Sequence, residues 1–225
     1  MKKICIITAR GGSKRIPHKN IKEFCGRPII EYSIEAALQS ELFDEVMVST
    51  DSKQIADISM KAGASVPFYR SAEMSDDNAT TDDVLSEVLK RYADRGIRYE
   101  IMCNVYPTAP FVTNEKLKTA YNMMMESGAD SIMPVVKYSF PPQRGVIIQN
   151  NIVSYIHPED YSKRSQDLEP IYHDAGQFYF YRVHEDLSFD SMHPTALVVN
   201  EMEVQDIDNI SDWKIAELKY KLMKY

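Results

Sequence analysis

Residues 3–20 read Lys3-Ile-Cys-Ile-Ile-Thr8 and then Ala9-Arg10-Gly11-Gly12-Ser13-Lys14-Arg15-Ile16-Pro17-His18-Lys19-Asn20. The first six residues are an unbroken apolar, largely β-branched run. That pattern belongs to a strand buried on both faces, as in a parallel sheet. A long loop rich in glycine and cations comes next, running to about Arg27. In open α/β sheets ligands sit at the carboxyl ends of the strands, and this loop leaves such an end. Gly11 and Gly12 let backbone amides come close to an anion, while Arg10, Lys14, Arg15 and Lys19 supply charge. The loop is neither GxxxxGK[ST] nor GxGxxG. The bland alternative, a solvated basic loop, leaves the two glycines unexplained, so the loop reads as a phosphate site.

Outward from this stretch the pattern alternates. Pro28 opens a helical pattern through Ile29-Ile30-Glu31 to Ser40, as proline at a first helical position does. Glu45 to Thr50 is a strand. Asp51 or Ser52 caps a helix to about Ala62, which Gly63 ends. Ala64 to Tyr69 is a short strand. Thr80 to Arg95 is helical, capped by Thr81 or Asp82, and Tyr99 to Tyr106 is a strand stopped by Pro107. Asn114 to Ser127 is helical and Asp130 to Val136 is a strand. Repeated βα units with right-handed crossovers predict an α/β fold: a mostly parallel sheet with helices on both faces.

After about Val136 the pattern changes. Two short strands flank Asn150-Asn151, a favoured hairpin dipeptide. Residues 137–175 therefore read as a small β-rich insertion within one domain spanning 1–225. Gln177 to Val183 and Ala196 to Asn200 are strands, and Asn209 to about Lys224 is a closing helix marked by Ile210, Trp213, Ile215, Leu218 and Leu222.

Composition narrows the function. The 225 residues have 44% hydrophobic and 26% charged content, as in ordinary globular proteins. No apolar run nears the roughly 20 residues that span a bilayer, and the Ile4 to Ala9 run is too short for a signal-peptide core. The three cysteines form no CxxC pair, and the five histidines show no ligand spacing. These features predict a cytoplasmic protein with no membrane partner. The net charge of -7 argues against nucleic acid as a partner. Yet Arg10 to Arg27 holds six Lys/Arg against one acid, Glu23, a local charge of +5. Concentrated positive charge on a negative body suits a compact polyanion.

A second constellation is Asp206-Ile207-Asp208. In an extended segment both carboxylates face the same side, which suits a hard cation such as Mg²⁺. The plain alternative is that Asp208 caps the last helix. Further candidates near strand ends are Arg70, Asp77, Thr80 and Thr81, then Tyr106 to Pro110, and the polar run Arg164 to Asp174. The tyrosines in strands read as packing, and Met123 to Met125 as helix surface or core.

The stretch Thr8 to Asn20 resembles the opening signature of the cytidylyltransferases that activate nine-carbon acidic sugars, the family of the CMP-sialic acid synthetases. The resemblance continues in order through Val48 to Asp51, Arg70 to Glu73, Asp77 to Thr81, Pro107 to Pro110 and Val204 to Asp208. The run Arg164-Ser165-Gln166-Asp167-Leu168 with Tyr172-His173-Asp174-Ala175-Gly176 is most similar to the pseudaminic acid branch. Tyr106 stands where sialic acid enzymes carry Gln, and Asp174-Ala175-Gly176 where they carry Pro-Asn-Gly.

The resemblance implies a Rossmann-like α/β fold, CTP and a nonulosonic acid as substrates, a divalent metal such as Mg²⁺ or Mn²⁺, and a homodimer in which the insertion reaches the partner's sugar site. It assigns Ala9, Arg10, Gly11, Gly12, Ser13, Lys14, Lys19, Asn20, Arg70, Asp77, Thr80 and Thr81 to the nucleotide. Arg10, Lys14, Lys19, Asp206 and Asp208 would carry the chemistry, with Asp206 and Asp208 holding the metal. Tyr106, Arg164, Gln166, His173 and Asp174 would face the sugar. Rival readings are the same chemistry on sialic, legionaminic or 3-deoxy-octulosonic acid, a DxD glycosyltransferase, and a non-catalytic nucleotide-binding protein.

Overall fold

The computed structural model describes residues 1–190 and 192–223. In chain order it has β1 (Lys3–Thr8), β2 (Glu23–Phe24), β3 (Arg27–Pro28), α1 (Ile29–Gln39), β4 (Glu45–Ser49), α2 (Lys53–Lys61), α3 (Thr81–Ala93), β5 (Ile101–Val105) and α4 (Asn114–Ser127). Next come β6 (Ser131–Lys137), β7 (Val146–Gln149), β8 (Ile152–Tyr155), β9 (Tyr172–Asp174), β10 (Phe178–Arg182), β11 (Thr195–Val199) and α5 (Ile210–Met223).

The main sheet runs β11-β6-β10-β5-β1-β4, with β9 also pairing with β6. β1 lies parallel between β4 and β5, so Cys5 faces Val46 on one side and Cys103 on the other. β10 is antiparallel to both its neighbours, β5 and β6, and β11 is parallel to β6. The sheet is thus mixed, with parallel pairs at both ends, and the glycine-rich loop leaves β1 in the β5-β1-β4 part.

Alternation along β1 explains its continuous apolar reading. Cys5 and Ile7 enter a core with α1 and α4 residues such as Ile34 and Leu117. Ile4 and Ile6 enter a second core with Leu85, Val88 and Tyr92 of α3. All four β1 residues are fully buried, as a strand covered by helices on both faces must be.

Several local expectations need correction. Ala64 to Tyr69 forms no strand, only a parallel bridge from Ser65 to Met47. Pro67 has no N–H to extend the ladder. The cap of α3 is Thr80, one residue before Thr81, closing a reciprocal capping box with Asp83. The last helix is capped by Asn209, whose side chain accepts from the Ser211 and Asp212 amides at 2.8 and 3.1 Å. Asp208 is therefore not the cap. Pro28 lies in β3 and precedes α1 with an extended ψ of 132°.

α5 buries Trp213 and Ala216 against Phe24 and Ile29, with Tyr220 packed beside them. Ile215, Leu218 and Leu222 instead face outward, the last two 61% and 68% exposed. Lys224, the expected end of this helix, lies outside the described residues. In the 137–175 segment, β7 and β8 form the expected hairpin, turning at Asn150 and Asn151 with φ of 50° and 64°. Every residue of both strands is exposed. Among the described residues no helix is long and apolar enough to cross a membrane.

The α3 core includes two tyrosines near Glu45, and the Tyr92 hydroxyl donates to its carboxylate at 3.0 Å. Burial, reinforced by Glu45 and Asp44, raises Tyr99 to about 12 from an ordinary 10. The folded state favours the protonated phenol. That contribution is complete below pH 10 and is lost as pH rises towards 12. Urea midpoints should fall across that window, and Tyr99→Phe should lessen the fall relative to the parent chain.

Candidate active site

The loop after β1 is pinned from beneath. Ile16 is buried with Phe24, Trp213 and Ile207, so an apolar contact joins the loop to the segment that carries the paired aspartates. Asn20, also buried, donates its side-chain amide to the Arg10 carbonyl at 2.9 Å and braces the turn. Gly11 is needed for close approach: a Cβ there would meet the Ser52 Cβ at 3.1 Å, while one on Gly12 would meet nothing within 4 Å.

Above the loop opens a cleft of about 470 Å³. Its wall includes Arg10, Ser13, Lys14, Arg15, Lys19, Asn20, Arg70, Asp77, Thr80, Thr81 and Tyr106. Ala9, Gly11 and Gly12 do not reach the wall. Ala9 is buried with its amide on the Ser49 carbonyl. The Gly11 N–H is already donated to Asp51 Oδ1 at 2.7 Å. The expectation that both glycine amides face an anion in this cleft therefore needs correction: Gly11 is engaged by Asp51, and Gly12 lies off the wall.

The cations are held by internal anions. Asp77 accepts from Arg10 at 2.9 Å and from Lys14, and these two bonds draw its carboxyl below the ordinary range. Arg15 pairs with Asp208 at 2.8 Å. Lys19 donates to the Ile207 carbonyl at 2.8 Å. Burial lowers the Lys19 ammonium, while Asp208 and Asp206 oppose that shift. Arg15 and Arg10 also act on Lys19, so the loop cations and the acidic pair share one electrostatic neighbourhood.

Arg70 lies deeper, donating to Ser49 Oγ at 3.1 Å and to the Ser49 carbonyl at 2.7 Å. Its burial pulls it down to about 10. A guanidinium at that value is still charged at neutral pH. Thr80 spends its hydroxyl on the capping box with Asp83, which leaves Thr81 the freer of the two.

Asp206 and Asp208 flank the buried Ile207 and do not line the cleft; they meet its wall through the Arg15–Asp208 pair. The residues expected to face a sugar separate into two groups. Tyr106 is on the cleft wall, its ring 5.5 Å from that of Tyr179, which donates its hydroxyl to Asp174 at 2.7 Å. Arg164, Gln166 and His173 are exposed and off the wall. Arg164 pairs with Asp167 at 3.0 Å, and the His173 ring lies 4.6 Å from Tyr138. Among the described residues the one group of three or more with metal-ligand spacing is His157, Glu159 and Asp160, also in the exposed 137–175 segment; Asp206 and Asp208 belong to no such group. The sequence reading missed Asp51, Asp77's part as internal counter-ion, and Tyr179.

The family model described as Cytidylyltransferase matches residues 4–210. The chain belongs to the cytidylyltransferase family. Among its relatives is the pseudaminic acid cytidylyltransferase of Campylobacter jejuni, 40% identical over 99% of this chain and 97% of that protein. The CMP-N,N'-diacetyllegionaminic acid synthase of Legionella pneumophila is 35% identical over 100% and 97%. An N-acylneuraminate cytidylyltransferase of Streptococcus agalactiae is 32% identical over 80% of this chain and 43% of its own length. Among solved structures, a CMP:2-keto-3-deoxy-manno-octonic acid synthetase superposes with a TM-score of 0.67 at 18% identity, covering 100% of this chain and 99% of that one. At that identity the likeness concerns the fold, which is the Rossmann-like α/β arrangement expected from the sequence.

In this cytidylyltransferase Asp77 occupies the cations that an incoming phosphate would need. Asp77→Ala should tighten pyrophosphate binding several-fold, on the order of 3-fold for loss of an exposed competing ion pair. Titration calorimetry measures this. Weaker binding in the variant would mean that Asp77 helps hold the ligand.

Proposed function

We propose that this cytidylyltransferase moves CMP from CTP to the anomeric hydroxyl of a nonulosonic acid, pseudaminic acid first among them, releasing pyrophosphate. The observation that carries the reading is the cleft wall of Arg10, Lys14, Arg15, Lys19 and Arg70 beside the Asp206–Asp208 pair. The relatives named for pseudaminic and legionaminic acids support the sugar class.

The reaction displaces pyrophosphate in line. The sugar oxygen forms a bond to the α-phosphorus as the bond to the β-phosphate bridge breaks. The protein's task is to place the reactants and neutralise growing charge. Arg10 and Lys14 leave Asp77 and take the α-phosphate and the leaving group. Lys19 stays on the Ile207 carbonyl and adds its charge from below. Ser13, on the cleft wall, completes the phosphate cradle. Arg70, Asn20, Thr80 and Thr81 surround the cytidine.

Asp206 and Asp208 offer an all-oxygen donor set beside the phosphate wall, which fits a hard divalent cation. Mg²⁺ or Mn²⁺ bound there would supply charge neutralisation between phosphate oxygens. Asp208 would have to release Arg15, and that freed guanidinium would then lie beside the phosphates.

Residues 137–175 act as an arm of a single 1–225 domain, and the enzyme is a homodimer. Phe140, Ile148 and Ile152 are 87%, 67% and 68% exposed, more apolar surface than a hairpin leaves to water without a partner. In this arrangement Arg164 and Gln166 enter the partner's cleft, where Arg164 meets the sugar carboxylate. His173 steadies the base of the arm. The enzyme works in the cytoplasm, where CTP is available.

Purified chain, CTP, Mg²⁺ and pseudaminic acid should release pyrophosphate. Legionaminic, sialic and 3-deoxy-octulosonic acids in the same assay rank the sugars. Asp208→Ala should lower turnover by about 100-fold or more while thermal stability holds, a loss typical of removing transition-state charge stabilisation. Near-parental activity would remove the metal assignment. Ile148→Asp should convert the dimer to monomer in sedimentation equilibrium. An unchanged mass would exclude the arm from the interface.

A further inference from the structure

The acidic pair sits at the end of a segment, Asn200 to Asp208, that has little structure of its own. Outside the single turn Glu201–Glu203 it belongs to no helix or strand. Backbone carbonyls in such a stretch need donors from elsewhere, and here they come largely from lysines. Lys219 of α5 donates its ammonium to the Val204 carbonyl at 2.7 Å and to the Glu201 carbonyl at 3.2 Å. Lys19 holds the Ile207 carbonyl at 2.8 Å. The Gln177 side-chain amide holds the Glu203 carbonyl. A slip of one residue in this extended run would turn an aspartate inward and Ile207 outward, and the anchors at 201, 203, 204 and 207 oppose it.

A third lysine ties the segment to the cleft. Lys116, near the start of α4, donates to the Phe111 carbonyl at 2.9 Å and pairs with the Glu203 carboxylate at 3.2 Å. The other Glu203 oxygen accepts the Asn200 amide at 3.4 Å and closes the turn. Phe111 belongs to the loop between β5 and α4, whose Tyr106, Pro107 and Thr108 are on the cleft wall. Neither Lys116 nor Lys219 reaches that wall.

Lys116 is largely buried, and burial lowers its ammonium while Glu203 opposes the shift. A buried ion pair is a poor source of stability, since packed apolar side chains of similar volume do as well. What it adds is placement, because each of its bonds has a preferred length and angle.

We infer that Lys116 and Lys219 are positioning residues that hold Asp206 and Asp208 beside the phosphate wall, Lys219 by fixing the register of their segment and Lys116 by tying it to the β5–α4 loop. The inference rests on the reading of the acidic pair as part of the machinery for cytidylyl transfer. It gives the two lysines a part in turnover without contact with either substrate.

The test uses Lys116→Met, Lys219→Met, Glu203→Gln and the Lys116→Met/Glu203→Gln double variant. Hydrogen exchange on substrate-free enzyme reads the clamp itself. Peptides covering 201–208 should exchange about threefold faster in both Met variants, as local opening becomes easier, while β1 and β5 keep the parent rate. Turnover reads the consequence. With CTP, Mg²⁺ and pseudaminic acid, kcat should fall about tenfold, the kind of loss that a small misplacement of a reacting group brings. CTP affinity, measured by calorimetry without a divalent cation, should stay at the parent value. The double variant should lose no more than either of its singles, because all three break one contact. Lys219→Arg, which keeps donors for both carbonyls, should restore most of kcat.

Faster exchange with parental kcat overturns the inference and marks the lysines as structural only. Unchanged exchange in both Met variants overturns it as well, and so does a loss of CTP affinity in step with kcat. A parent enzyme that releases no pyrophosphate with any nonulosonic acid, while exchange in 201–208 responds as expected, overturns the substrate reading rather than the clamp.

Discussion

Lys19 puts its ammonium in a half-buried position where its hydrogen bond goes to the Ile207 carbonyl, 188 residues away. Burial disfavours that charge, and the two aspartates beside it favour it. Each side makes the other tolerable. Without the lysine, the two aspartates would lose a cation that favours both. Without the carboxylates, the loop would gather its cations with less to offset their repulsion. The apolar contact of Ile16 with Ile207 and Trp213 supplies the fixed floor beneath. Loop and acidic pair are thus one unit, built from the two ends of the chain.

The resting cleft is electrostatically satisfied. Asp77 holds Arg10 and Lys14, and Arg15 holds Asp208. In the proposed reaction a triphosphate with a divalent cation would bring the same pairing in exchangeable form, anion for Asp77 and cation for Arg15. The site therefore need not be built on binding; it need only trade partners. Such exchange among partly exposed ion pairs costs little, which suits a group that must bind and release product each turn.

Much of the fold was legible because burial on both faces leaves a plain trace. β1 and α4 occupy the expected residues, one as a continuous apolar run and the other bounded by Thr113 and Gly128. Errors arose where several neighbours share one local talent. Thr80, Thr81 and Asp82 can all cap a helix, as can Asp208 and Asn209, and only the surrounding contacts select among them. Ala64 to Tyr69 has strand composition, but Pro67 breaks its ladder. In α5 the residues Ile215, Leu218 and Leu222 are apolar yet outward, so composition misled where packing decided. The loop cations were legible as charge and glycine. Asp51 on the Gly11 amide and Tyr179 between Asp174 and Tyr106 were not, because those pairings depend on the register of strands far apart in the chain.

The proposed convergence of the β1 loop and the acidic pair on one triphosphate is tested most directly by diffraction from crystals grown with CTP and Mn²⁺. Anomalous density should place manganese against both Asp206 and Asp208, bridging to a phosphate that also meets Arg10. Nucleotide bound in the cleft with manganese absent from those aspartates, or phosphates turned away from Arg10, would contradict it.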